Sequence, residues 1–240
     1  MKLAFLGHGR MGKVVIARAR EAGHSVGVVL SGGDARSGPE ALAAALAGHD
    51  AVIDFSVAPA VLEHVTVCAR AGVPLVEGTT GWLTQEAEAR KVVEQAGGAM
   101  VYGANFSIGV NLFYRLVDRA GELYRGLGGY EAYIEEAHHA KKRDAPSGTA
   151  LELRRVLAQR LGREVPVAST RAGHIPGVHR VGFDSVADEI VLIHNARSRE
   201  SFATGAIAAA RWLVDRKAKG AFAFADVLDD VLEAERGGKS

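Results

Sequence analysis

The stretch Gly7-His8-Gly9-Arg10-Met11-Gly12 constrains the fold of this chain more than any other. It comes after the short apolar run 2–6 and precedes a helical pattern carrying Val14, Val15, Ala17 and Ala19, which stops at Gly23. A strand, a G-x-G-x-x-G turn and a helix in that order open a dinucleotide-binding βαβ unit. The glycines permit a tight turn and a close approach of backbone to pyrophosphate. The helix N-terminus adds free N–H groups and the positive end of a dipole. An ordinary tight turn between strand and helix has the same outline, so the pattern of the next eighty residues decides between them.

That pattern is an alternation. Apolar strand patterns fall at 25–30, 51–56, 72–76 and 99–102, with helical patterns at 59–70 and 86–94 between them. The order predicts a parallel sheet with helices on both faces, and ligands then bind at the carboxyl ends of the strands. Those ends are rich in small and polar residues: Ser31-Gly32-Gly33, Gly78-Thr79-Thr80-Gly81 and Gly103-Ala104-Asn105-Phe106-Ser107. Thr79 and Thr80 offer hydroxyls, while Gly78 and Gly81 let backbone approach a flat ring. No acid stands directly at the tip of the second strand, where NAD-binding units often hold a ribose hydroxyl. Asp34 lies further along, and Ser31 with Arg36 or Arg10 can accept a 2′-phosphate. The expected cofactor is NADPH or NADH, with the choice between them open.

The chain changes character after residue 106. Ser107 can cap a helix carrying Val110, Leu112, Leu116, Val117, Ala120 and Leu123. A strand over 130–137 delivers His138-His139-Ala140-Lys141-Lys142-Arg143, and then Asp144-Ala145-Pro146-Ser147-Gly148-Thr149 opens a helix that runs to Gly162. Pro146 suits the first turn, and Ser147 or Asp144 the cap. Gly148 and Thr149 then present N–H groups beside two imidazoles and three cations. This is an anion site with a proton-exchanging group in it. A pair of histidines also suits a metal, but no third ligand stands at local spacing, so none is expected. Strand patterns at 165–167, 179–183 and 189–195 suggest a separate open mixed sheet, in which His174, His179 and His194 read as structural. Helical patterns at 201–214 and 222–232 are expected to return to the first domain. The fold class is thus α/β: a Rossmann-like parallel sheet over 1–106 with 207–240, and a second α+β domain over 107–206.

Composition narrows the partners. The net charge is +1, and no aromatic or basic platform supports the Lys-Lys-Arg run, so neither nucleic acid nor membrane is an expected partner. The apolar run at 2–6 is too short for a signal peptide, and no run approaches the roughly 20 residues of a membrane helix. Cys68 is the only cysteine and sits in a helical apolar run, as a small core residue does. A soluble cytoplasmic protein is expected.

Gly9-Arg10-Met11-Gly12, Gly78-Thr79-Thr80-Gly81, 104–111 (ANFSIGVN), the run Glu136-Ala137-His138-His139 through Lys142 to Ala150, and the late segment His194 to Ala206 occur in order along nearly the whole chain. Together they resemble the 4-hydroxy-tetrahydrodipicolinate reductase (dihydrodipicolinate reductase) family. The resemblance implies NAD(P)H-dependent reduction of a cyclic dicarboxylate to tetrahydrodipicolinate, with loss of water, in lysine and diaminopimelate synthesis. It implies His138 as proton donor or acceptor and Lys142 as proton donor. His139, Gly148 and Thr149 match substrate-binding positions. Gly7 to Gly12, Gly78, Thr79, Thr80, Gly103, Ala104, Asn105 and Phe106 match cofactor contacts. Ser31-Gly32 stands where several members carry an acidic–basic pair for the adenosine ribose. The resemblance also implies a homotetramer joined through the sheets of the second domain.

Two other readings fit a cofactor domain of this kind. An aspartate dehydrogenase would oxidise aspartate with NAD. A silent redox sensor would bind NAD(P)H and a protein partner, although it has no use for a proton donor.

Overall fold

The computed structural model describes residues 1–31 and 38–237, which form two compact units, 1–108 with 199–237 and 109–198. Asp34 and Arg36, candidates for the adenosine end of the cofactor, lie outside the described residues, as do Gly32 and Gly33.

In the first unit β1 (Lys2–Leu6), α1 (Arg10–Glu21), β2 (Ser25–Leu30), α2 (Pro39–Leu46), β3 (Ala51–Asp54), α3 (Val61–Ala71), β4 (Leu75–Glu77), α4 (Glu86–Gln95) and β5 (Ala99–Tyr102) alternate. The late chain returns to it as α7 (Glu200–Asp215), β10 (Gly220–Ala223) and α8 (Phe224–Gly237). The sheet is wholly parallel, in the order β10-β5-β4-β3-β1-β2. Successive side chains of a strand face opposite sides. Ala4, Leu6, Val52, Leu75, Met100 and Ala221 therefore pack with Leu46, Val65, Cys68 and Val93 of α2, α3 and α4. Leu3, Phe5, Ile53 and Val76 are buried on the other face. There α7 offers Ala203, Gly205, Ala206, Ala209 and Ala210, small residues that allow close packing. A Cβ on Gly205 would stand 1.8 Å from the Phe106 carbonyl oxygen.

Edge strand β2 carries an irregularity in its register with β1 near Gly27. His49 fills it: Nε2 accepts from Val28 N–H at 3.3 Å, and Nδ1 bonds the Leu46 carbonyl at 2.9 Å. A Cβ at Gly27 would meet the imidazole at 2.1 Å, so a larger residue there would displace His49.

In the second unit, helices α5 (Ile108–Tyr124) and α6 (Gly148–Leu161) pack on a mixed sheet of β6 (Glu131–His138), β7 (Val167–Arg171), β8 (Val178–Asp184) and β9 (Glu189–Asn195), ordered β7-β6-β8-β9. Strand β6 runs parallel to β7 and antiparallel to β8. The core joins Phe113 and Val117 of α5 and Leu153 and Leu157 of α6 to Ile134, Val181 and Phe183 of the sheet.

Three local expectations need correction. Pro146 lies before the Ser147 cap rather than in the first turn of α6. Strand β7 begins at Val167, because Val165 turns into the core. The start of the pattern at 222–232 forms β10, which adds the sixth strand before α8 begins at Phe224. Its Gly-Ala-Phe-Ala sequence has no β-branched residue, so local propensity hid it.

Candidate active site

The carboxyl edge of the parallel sheet gathers the glycine turns. Strands β1 to β4 each hand their last carbonyl to the residue just beyond a neighbouring strand: Gly7 N–H to Leu30, Phe55 N–H to Leu6, Gly78 N–H to Asp54 and Gly103 N–H to Glu77. Gly7 has a φ of +91°, and a Cβ there would stand 2.4 Å from the Phe55 carbonyl oxygen. A Cβ on Gly12 would stand 2.1 Å from the Gly7 carbonyl oxygen. These two glycines are required for packing. Gly9 is different: it is exposed, a Cβ on it would meet nothing within 4 Å, and no side chain caps the α1 N-terminus it begins. The open space over Gly9 and the uncapped helix end fit a pyrophosphate.

His8, Arg10 and Ser31 are exposed along this edge, and Met11 is half-buried. Thr80 and Ala104 are also exposed. Thr79 is turned inward, with its N–H on Glu77 Oε1 at 2.7 Å and its hydroxyl accepting from Ser56 N–H at 3.1 Å. Asn105 Oδ1 accepts from Ser107 N–H at 2.9 Å and so shapes its own turn. Phe106 is buried against Phe224, with ring centroids 4.8 Å apart.

The second unit places the histidine segment at the end of β6. Strand alternation sends Glu136 and His138 to the same buried face. His138 Nδ1 is hydrogen-bonded to Glu136 Oε2. The other oxygen, Oε1, accepts from Arg171 at 2.6 Å, a residue brought opposite His138 by the β6–β7 register. Burial acts to raise the Glu136 carboxyl, but hydrogen bonds from Arg171, Ser169 and His138 overcome it and hold the group at about 2. It is therefore an ionised orienter for the imidazole.

From β8, His179 meets His138 edge-on, with ring centroids 5.1 Å apart, and its Nε2 lies 3.2 Å from Ser147 Oγ. Burial, then the neighbouring His138 and His194, depress His179 to about 4, so it is neutral near pH 7. Burial also lowers His138, with Lys142 and Arg171 adding to the effect and Glu136 opposing it.

The chain then turns, closed by Lys142 N–H on the His139 carbonyl at 3.0 Å. The turn leaves His139 and Lys142 half-buried and Lys141 and Arg143 exposed. Lys142 Nζ pairs with Asp144 at 2.8 Å, and Arg171 also holds the Asp144 carbonyl at 2.5 Å. Ser147 caps α6 through Ala150 N–H, leaving Gly148 exposed at the helix start. Thr149 is half-buried and hydrogen-bonded to Tyr114, whose hydroxyl burial pushes up to about 12.

Ligand atoms of Glu136, His138 and His179 lie within 4.8 Å of one another, so the fold supplies the third group that local spacing did not. The carboxylate is already committed to a guanidinium and to the imidazole. The arrangement suits an oriented acid–base histidine beside an anion site better than a cation site.

Two family models cover the chain: "Dihydrodipicolinate reductase, N-terminus" over residues 1–106 and "Dihydrodipicolinate reductase, C-terminus" over 109–228. The chain belongs to the dihydrodipicolinate reductase family. It is 34% identical to the 4-hydroxy-tetrahydrodipicolinate reductase of Christiangramia forsetii, over 97% of this chain and all of that one. It is 42% identical to that of Anaeromyxobacter dehalogenans, over 82% and 77% respectively. In fold it matches a dipicolinate-bound dihydrodipicolinate reductase from Paenisporosarcina, with a TM-score of 0.77 over 95% of this chain and 99% of that one, at 20% identity. As a member of this family it is an NAD(P)H-dependent oxidoreductase that performs the family's reduction step in lysine and diaminopimelate biosynthesis.

Glu136, Arg171 and His179 belong to the site and were not singled out from sequence as functional. Glu136 carried a signal, since two residues along a strand return to the same face. Arg171 and His179 come from other strands and required the register.

Proposed function

We propose that His138, oriented by Glu136, and Lys142 handle the proton in the reduction of 4-hydroxy-tetrahydrodipicolinate, and that His139, Gly148 and Thr149 hold a substrate carboxylate. The observation that carries this reading is the Arg171–Glu136–His138 chain of hydrogen bonds, which ends at an imidazole beside Lys142 and the α6 N-terminus. The nicotinamide cofactor, when bound, supplies the hydride. Gly7 to Gly12 cradle its pyrophosphate, while the turns Gly78 to Thr80 and Gly103 to Phe106 border its nicotinamide end.

Negative charge grows on the substrate ring as it is reduced, and a proton must reach it. His138 is neutral in the free protein near pH 7. Binding a dianion beside it raises its proton affinity and so favours the charged imidazole in the complex. Glu136 fixes which ring nitrogen faces the carboxylate and which faces outward. Lys142, held by Asp144, is the second cation over the substrate.

Ser31, just past β2, carries a hydroxyl and no charge, which favours neither a ribose 2′-hydroxyl nor a 2′-phosphate, so the cofactor is NADPH or NADH. The protein acts as a cytoplasmic homotetramer, with subunits meeting through the open sheet face of the second unit. Among the described residues no helix is long and apolar enough to cross a membrane.

The test is loss of nicotinamide absorbance with NADPH and NADH run separately, the substrate being generated in place from pyruvate and aspartate semialdehyde by a coupled synthase. Loss that depends on the synthase supports the reading. No loss with either cofactor contradicts it.

A further inference from the structure

We propose that Glu77 is the positioning residue of the Gly78–Gly81 turn: its side chain ties Thr79 to the buried Asp54–His64 pair and thereby sets the backbone on which the nicotinamide end of the cofactor rests. The inference rests on the cofactor placement proposed for that turn.

Glu77 and Asp54 are partners across β4 and β3, at the carboxyl edge of the sheet, and both are fully buried. Asp54 is well supplied with donors. Ser56 N–H reaches its Oδ1 at 2.8 Å, and His64 Nδ1 lies 2.6 Å from its Oδ2. The Thr79 hydroxyl approaches Oδ1 at 3.5 Å. Glu77 draws its donors from Thr79, whose N–H reaches Oε1 at 2.7 Å, while its buried Oε2 has no hydrogen-bond partner.

Among the described residues facing it, no cation is hydrogen-bonded to Glu77. From β3 comes Asp54, from α3 His64 and Cys68, and from β5 the register partner Tyr102, whose hydroxyl is taken up by Glu86 and Arg90 of α4. The Cys68 thiol is pushed up by burial and then by Asp54 and Glu77, so it stays neutral. Two ionised carboxylates side by side in a buried site repel strongly. Burial, then the charge on Asp54, push Glu77 well up. A proton on Oε2 removes the repulsion and turns the unpaired oxygen into a donor toward Asp54. The result is a continuous chain, His64–Asp54–Glu77–Thr79, under the turn. Glutamine has the same shape and can make the same bonds without ionising. A residue that only filled space would show no such equivalence and no dependence on pH.

The experiment compares cofactor dissociation constants for the wild type, Glu77→Gln and Glu77→Ala from about pH 6 to about pH 9, with thermal melts as a check on folding. Glu77→Gln is expected to bind NADPH or NADH like the wild type at the acid end. Where the two diverge as pH rises, Glu77→Gln is expected to be the tighter binder, because it cannot ionise beside Asp54. Glu77→Ala is expected to bind about tenfold more weakly throughout, as for loss of one buried hydrogen bond. Tighter binding by the wild type than by Glu77→Gln at the alkaline end would overturn the inference even if Glu77→Ala does not fold. Weak binding by Glu77→Gln at the acid end would overturn it too. No binding of either nucleotide by the wild type would instead overturn the cofactor placement, and this inference with it.

Discussion

Glu136 and His138 stand two residues apart on β6, face the same side of the sheet and are joined through Oε2 and Nδ1, with Arg171 holding the other carboxylate oxygen. The carboxylate is buried, ionised and fixed from two sides. It therefore selects one tautomer and one orientation of the imidazole.

Replacing that orienter tests it separately from the histidine. Glu136→Gln keeps the shape, loses the charge and leaves Arg171 facing a neutral amide. kcat is expected to fall by about 10–100-fold, a fraction of the general-acid contribution, while cofactor affinity stays constant. Steady-state rates with separate cofactor titrations check both halves.

Much of this site could be read from the chain itself. The glycine turn, the strand ends and the His138 to Thr149 segment all sit in short local patterns whose chemistry depends on neighbours in sequence. What sequence left unread depends on register and burial. Arg171 meets Glu136 only because β7 pairs with β6 in parallel, and His179 arrives by the antiparallel β8 pairing. Asp54 and Glu77 are polar residues at the ends of β3 and β4, and their joint burial is a property of adjacent strands. The β10 strand was hidden because Gly220 to Ala223 has weak strand propensity and gains its place by pairing with β5.

Binding of a dicarboxylate is expected to take up a proton. Burial holds His138 below the ordinary imidazole value in the free protein. A neighbouring dianion raises it in the complex. A group whose affinity for protons rises on binding makes affinity fall as pH rises between its two values. Calorimetric titration with dipicolinate in buffers of different ionisation enthalpy should report net uptake near pH 7. Proton release would contradict the assignment.

The second unit is expected to be sensitive to acid. His179 is depressed from 6.5 to about 4, so the unfolded chain binds its proton first as pH falls. The stability this group confers is full above about pH 6.5 and declines as pH drops toward 4. Glu136, depressed from 4.5 to about 2, extends the loss further down. His179→Asn should flatten the upper part of that decline, by up to about 2–3 kcal/mol, as read from denaturant midpoints across pH.

Gly9 and Gly12 should separate binding from folding. A Cβ at residue 12 collides with the backbone of Gly7, so Gly12→Ala is expected to lower the melting temperature as well as cofactor affinity. A Cβ at residue 9 meets only open space. Gly9→Ala should therefore melt close to the wild type yet bind NADPH or NADH about tenfold or more weakly, because the methyl occupies the approach to the pyrophosphate. Paired melts and cofactor titrations distinguish the two.

The most direct test of the account is turnover of the synthase-generated substrate by His138→Gln, measured beside the wild type with cofactor affinity determined on both. The expected result is a fall in kcat of roughly 10²–10⁴-fold, the usual range for a general acid, with cofactor binding unchanged. Near-normal turnover by His138→Gln would contradict it.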